Sequence, residues 1–260
     1  IINNNGSNLI ESFKHFNILL LELKKDFGSP KDYYELYIEI YDVLTILLNY
    51  LKTNHLSLFH LTDIYELIQY SNNLVPRLYL LTTCGVAMLN FDTFPHTEIL
   101  KDMIEMLNGV QHPVKGMFLR YYLLQRCKFI FNDEKNDVSN VFKIDFLIAN
   151  FIEMNKLWVR LQYQGKLRDK MSKLKERKEM ELLIGYNLVQ ITEVLDLENE
   201  ENAIRLYKEN TLPRILKQVI SCRDIISQEY LLDIIFQIFP ESYHCDFTCI
   251  DLYLASFLKL

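Results

Sequence analysis

His244, Cys245 and Cys249 are the densest set of metal-capable side chains in the sequence. Cys-x3-Cys puts two thiolates on one helical face, but a structural zinc takes four ligands and no second cysteine pair supplies the fourth. Cysteine is also a common core residue, so no metal and no cofactor is assigned. His55 and His60 stand five apart, a poor spacing for one helical face. Neither His-Glu-x-x-His nor Gly-x-Ser-x-Gly occurs. Glu35, Glu39 and Asp42 form a stacked carboxylate row, on the polar stripe of a helix where exposed acids are expected. The 16 tyrosines and 16 phenylalanines would suit base stacking, yet they fall at core spacings without interleaved cations. No enzymatic chemistry emerges.

Two further features have both a functional and a plain structural explanation. The segment Lys166–Glu181 carries Lys166, Arg168, Lys170, Lys173, Lys175, Arg177 and Lys178 against Asp169, Glu176, Glu179 and Glu181, a net +3. It would serve as a basic arm for phosphates or acidic membranes. The interleaved acids and lack of aromatics favour a solvated helical turn with i,i+4 pairs. Trp158, the only tryptophan, is either an exposed interface anchor or a core residue beside Phe151, Leu157 and Leu161. The core assignment is the expected one.

The elements that must position these residues are helices. Only 7 glycines and 6 prolines occur in 260 residues. Strand-rich folds and phosphate-cradling loops need more turn residues and clustered glycines than this. The spacing predicts helices over 8–27, 31–52, 62–73, 76–91, 97–109, 113–131, 140–164, 167–196, 200–211, 213–222, 224–239 and 247–260. Gly28-Ser29-Pro30, with Asp32 three beyond the serine, marks one start, Thr62-Asp63 another, and Pro240 a stop. In 31–52 and 224–239 the polar residues form one narrow stripe. In 76–91 the only charge is Arg77. Helices apolar on most sides need cover on two flanks, as in stacked pairs. No ankyrin or tetratricopeptide consensus is present, which leaves degenerate HEAT-like pairs, with a closed bundle or a globin-like cluster as alternatives. The expected fold is all-α: a single elongated, right-handed α-solenoid segment over residues 1–260, of stacked HEAT-like helical hairpins.

Charge and cysteines narrow the setting. Lys and Arg number 28 and Asp and Glu 34, a net charge of -6 that gives no global attraction to nucleic acid or anionic lipid. Five scattered cysteines suit free thiols in a reducing cytosol. The longest uncharged run, 78–91, is too short for a bilayer, which takes about 20 residues. The chain opens on Ile1-Ile2 and stops within an apolar run, which reads as a piece of something longer.

One stretch is more specific. Asp63-Ile-Tyr-Glu-Leu-Ile-Gln-Tyr-Ser-Asn-Asn-Leu-Val-Pro-Arg-Leu-Tyr-Leu-Leu81, with Pro76-Arg77-Leu78-Tyr79-Leu80-Leu81 as its hallmark, resembles the signature region of the vacuolar protein sorting-associated protein 35 family. These proteins are the large α-solenoid subunits of retromer. The likeness continues through Ile99–Met106, Gly109–Pro113, Phe118–Gln125 and Glu153–Arg160. It also takes in Ser29–Tyr37 upstream, and Cys222–Asp224 and Gln228–Leu231 downstream. Asn108 departs from the family's usual basic residue, so no charge contact is carried over to it, and the loop at 132–139 is short.

The resemblance implies a non-enzymatic scaffold that sorts membrane cargo, cytoplasmic and peripheral on endosomal membranes, in endosome-to-Golgi retrograde transport. Family members are about three times longer, so the chain corresponds to their amino-terminal part. That part docks the arrestin-like retromer subunit, near which a sorting nexin and cargo tails gather. A late-endosomal Rab GTPase engages the large subunit, and the metallophosphoesterase-like subunit binds the missing carboxyl-terminal part. No nucleic acid is implied. The alternatives are a helical-repeat adaptor of another trafficking complex and a nucleic-acid-binding repeat protein, which would need the cations of 166–178 to form a continuous stripe with neighbouring helices. Residues expected at the arrestin-like interface are Pro76, Arg77, Leu78, Tyr79, Leu80 and Leu81, with Asp102 and Glu105 on the following helix. Arg77 either bonds to Asp102 or Glu105 and organises the docking surface, or faces the partner with Leu78, Tyr79 and Leu81 beneath it. The apolar character of 76–91 favours the first.

Overall fold

The structure is a computed structural model and describes residues 6–27, 29–53, 58–91, 94–131, 138–163 and 170–258. Gly28, His55, Lys166, Arg168 and Asp169, and most of the short loop at 132–139, lie outside them. Among the described residues there is no strand. Helices α1 (Gly6–Leu20), α2 (Pro30–Thr53), α3 (Leu58–Gln69), α4 (Leu74–Met88), α5 (His96–Met106) and α6 (Pro113–Phe131) come first. They are followed by α7 (Asn140–Leu161), α8 (Lys170–Leu195), α9 (Glu200–Leu206), α10 (Leu212–Cys222), α11 (Ile225–Ile238), α12 (Glu241–His244) and α13 (Phe247–Phe257). The fold is all-α, with helices packed in neighbouring pairs as an α-solenoid requires. The chain divides into two compact units, residues 1–127 and 128–260.

In the first unit α4 is the hub, packing against α1, α2, α3 and α5. Its sequence explains this: Pro76 and every residue from Leu78 to Leu89 are buried. The buried hydroxyl of Thr83 donates to the Tyr79 carbonyl at 2.7 Å and lies 2.7 Å from the Tyr122 hydroxyl, so the polar groups inside cost little. Gly85 lets α5 approach, because a Cβ there would stand 2.8 Å from Met103 Sδ. In the second unit α7 packs along α8, and α10 packs against α7, α11 and α13.

Several expectations need correction. Helix α2 is not covered on most sides. Its core stripe is Tyr33, Tyr37, Ile40, Leu44, Leu47, Leu48 and Leu51, and Tyr34, Ile38 and Ile46 are exposed. Helix α11 likewise buries only Ser227, Leu231 and Ile235 while Ile225, Ile226 and Phe236 face outward. Apolar identity alone does not say whether a neighbour is present to cover it. Thr62-Asp63 does not start α3, which begins at Leu58. Leu61, Ile64 and Ile68 are buried at helical spacing, and that packing outweighs a capping preference. The expected gap between helices 200–211 and 213–222 is absent: Tyr207–Thr211 form a π-turn that runs directly into α10, where Pro213 sits in the first turn and its missing donor costs nothing. The Ser29 cap is as expected, with its Oγ accepting from the Asp32 amide at 3.2 Å.

Candidate partner-docking site

The hallmark string opens α4. Pro76 is its third residue rather than its first, since Leu74 begins the helix after Asn73. The first intrahelical bond from this turn is Arg77 N to Asn73 O at 3.0 Å, so Pro76 removes a donor that has no helical acceptor. Leu78, Tyr79, Leu80 and Leu81 are buried and Arg77 is half-buried. Asp102 and Glu105 are exposed on α5.

Arg77 does not pair with either acid. Its Nη1 reaches back across the α3–α4 corner and donates to the carbonyls of Ser71 at 3.2 Å and Gln69 at 3.4 Å. The Gln69 carbonyl ends α3, the Ser71 carbonyl lies two residues beyond it, and neither has a helical donor of its own. The cation therefore leaves the unfavourable positive end of α4 for the favourable negative end of α3. Two more ties fix the corner. Asn17 Nδ2 of α1 donates to Ser71 Oγ at 2.9 Å, and Lys24 Nζ donates to Asn73 Oδ1 at 3.4 Å. What the corner displays is Tyr70, 83% exposed, flanked by the partly exposed Leu67 and Leu74. Tyrosine is among the residue types enriched at interface hot spots, and here its backbone sits on a fastened corner.

Behind the corner lies an aromatic layer. Tyr79 meets Tyr122 with ring centroids 5.0 Å apart, and Tyr33, Tyr34 and Tyr37 surround Phe118. Arg126 stacks 3.8 Å over the Tyr41 ring and donates to the Tyr41 carbonyl and Thr45 Oγ1, both at 2.8 Å. Tyr37 donates to Gln125 Oε1 at 2.7 Å. Burial pushes the phenols of Tyr33, Tyr37, Tyr79 and Tyr122 up, so the layer stays uncharged. Lys115, largely buried, donates to the Lys24 carbonyl and to Asp26 Oδ1, each at 2.7 Å. Asn108, where the family pattern departs, accepts from the buried Arg120 at 2.7 Å.

The second unit holds what residue spacing had concealed. Arg177, assigned to a solvated turn, is 2% exposed. Its guanidinium binds both Asp224 oxygens, donates to Ser227 Oγ at 2.9 Å and Gln162 Oε1 at 3.4 Å, and lies 5.0 Å from the Trp158 ring centre. Trp158 is fully buried, as expected of a core residue, and its Nε1 donates to the Arg177 carbonyl at 2.9 Å. Asp224 caps α11 by accepting from the Ser227 amide at 2.9 Å, just after Arg223 turns the chain at φ 49°. A signal for Arg177 existed: with Met180, Ile184, Leu188 and Ile191 it continues the buried stripe of α8.

The metal candidate is otherwise engaged. His244 Nδ1 lies 2.9 Å from the Tyr253 hydroxyl, Cys245 is exposed and Cys249 buried. Among the described residues no group of three metal-capable side chains is assembled.

Paired helices around a buried hub, with a fastened corner displaying an aromatic side chain, define a helical scaffold. A family model described as vacuolar protein sorting-associated protein 35 matches residues 2–260. The Schizosaccharomyces pombe protein of that name is 38% identical over 97% of the chain, and the Arabidopsis thaliana 35B protein is 39% identical over 92%. The Dictyostelium discoideum protein is 38% identical over 92%. The chain belongs to the vacuolar protein sorting-associated protein 35 family. It spans 30% of the length of these curated relatives.

Proposed function

We propose that this chain is the amino-terminal solenoid segment of the retromer large subunit, a non-enzymatic scaffold in endosomal sorting and endosome-to-Golgi transport. Its role is to dock the arrestin-like retromer subunit through the α3–α4 corner. The observation that carries this is the Arg77 clamp. The hallmark string is almost wholly buried, so it acts by holding Tyr70, Leu67 and Leu74 in place, and Arg77 is the link between core and surface. The remainder of the longer protein carries the metallophosphoesterase-like subunit. Sorting nexins, cargo tails and the late-endosomal Rab GTPase join the assembly, which works on the cytoplasmic face of endosomes without nucleic acid. Among the described residues no helix is long and apolar enough to cross a membrane.

The test is capture of the purified arrestin-like subunit by the chain at low and high salt. Binding that persists in high salt and falls at least about tenfold in Tyr70→Ala, with its melting temperature unchanged, supports the proposal. Equal binding by wild type and Tyr70→Ala removes the corner from the interface, and no binding at all removes the docking role.

A further inference from the structure

The carboxylate row of α2 is left unused by the docking corner, and the structure sets it in an unexpected context. Glu35, Glu39 and Asp42 are all exposed, one helical turn apart, and span about 10 Å along the axis. Among the described residues none of the three has an ion-pair partner. Tyr34, Ile38 and Ile46 share the same outward arc, and Ile46 is 63% exposed. The opposite side of α2 carries the whole buried stripe. Helix α2 is thus two-sided, its outer side half apolar and half acidic.

The pattern is more ordered than a solvated face. An exposed helix side with no partner is normally filled with mixed charges. Here all three charges between 34 and 46 are negative, and they alternate with large apolar side chains. The apolar members are partly preorganised: the Tyr34 ring stacks on Tyr37 at 6.3 Å and on Phe118 at 6.0 Å, so little side-chain entropy is lost when something covers it.

We infer that the outer face of α2 is a docking surface for a cationic amphipathic helix of a protein partner. Its apolar stripe would lie over Tyr34, Ile38 and Ile46, and its Lys or Arg side chains would meet Glu35, Glu39 and Asp42. The charge fixes the occupant's chemistry. An anionic lipid surface or an acidic peptide would be repelled by three unpaired carboxylates, and a purely apolar segment would leave them desolvated and unpaired. The surface is separate from the α3–α4 corner, so the inference stands or falls independently of arrestin-like docking.

The test uses the full 260-residue chain and, as probe, a fluorescein-labelled designed helix with leucines on one stripe and lysines on the next. Fluorescence anisotropy is followed at low and moderate salt. Saturable binding is expected, weakened about tenfold by the triple charge reversal E35K/E39K/D42K, as three exposed pairs warrant. Binding should also weaken severalfold in Ile46→Ser, while E201K/E229K/E241K, the same change in net charge at other exposed acids, leaves it intact. Equal losses from the two triple reversals would reduce the effect to net charge and overturn the inference, as would the absence of saturable binding. Sedimentation of the free chain tests a further occupant: a dimer abolished by E35K/E39K/D42K would assign the face to a second copy and overturn the inference too.

Discussion

Replacing Asp224 with Ala tests the packing of the second unit at its most demanding point. Asp224 is 9% exposed and satisfies a guanidinium that is 2% exposed. Removing the carboxylate leaves Arg177 with only Ser227 Oγ and Gln162 Oε1 as side-chain acceptors. Breaking a buried pair from one side costs about 3–5 kcal/mol, and losing the α11 cap adds about 1 kcal/mol. The sum, about 4–6 kcal/mol, is a large part of the about 5–15 kcal/mol that holds a typical domain. At about 2–4 °C per kcal/mol it lowers the melting temperature by about 8–24 °C. Calorimetry of the variant measures this directly. Arg177→Met with Asp224→Ser, which removes both charges and keeps a cap, should recover most of the loss. The pair also sets a pH dependence. Burial pushes the Asp224 carboxyl up, but hydrogen bonds from Arg177 and Ser227 outweigh it and hold it below its ordinary value. Its stabilisation is therefore complete above about pH 4 and is lost as pH falls through the lowered value. A cost below about 1 kcal/mol for Asp224→Ala, or no recovery in the double variant, would refute the reasoning.

Arg77→Ala removes two carbonyl bonds and no ion pair, so at about 0.5–1.5 kcal/mol each it should cost about 1–3 kcal/mol and weaken docking; a loss above about 4 kcal/mol in chemical denaturation would mean that an acid had been left unpaired. Gly185→Ala would place a Cβ 2.8 Å from the Tyr230 hydroxyl. That rigid ring donates to the Glu181 carbonyl and packs edge-on against Trp158, so a cost of about 1–3 kcal/mol is expected in thermal melts. Gly85→Ala meets the flexible Met103 and should cost less than about 1.5 kcal/mol. Trp158, fully buried, should emit in the blue and resist iodide quenching in the native chain.

How much of this was legible in the sequence depended on whether a residue's environment is local. Helix α4 was readable because a run with a single charge has only one stable setting, the inside. The Ser29 cap and the stop before Pro240 were readable because caps and breakers act within one turn. The outer sides of α2 and α11 were misjudged, since the presence of a covering neighbour is a tertiary fact that Tyr34 and Ile225 do not encode. Arg177 is hidden in the sequence because its partner, Asp224, stands 47 residues away, and the surrounding lysines mask the stripe it shares with Met180 and Ile184. For Arg77 the need for several acceptors was clear from its place in an apolar helix. That they are carbonyls at and just beyond the end of α3 follows from the corner's geometry. The hallmark string carries the family resemblance, and the structure adds that most of it is core.

In the proposed docking mode Tyr70, held by the Arg77 clamp, touches the arrestin-like subunit. Site-specific photocrosslinking tests it most directly, with a photoreactive amino acid at position 70 and, as control, at the equally exposed position 171 of the other unit. Irradiation of the chain mixed with the purified arrestin-like subunit should give a crosslinked heterodimer from position 70 and none from position 171. A crosslink from 171 alone, or from neither position while the two proteins co-elute, would contradict the account.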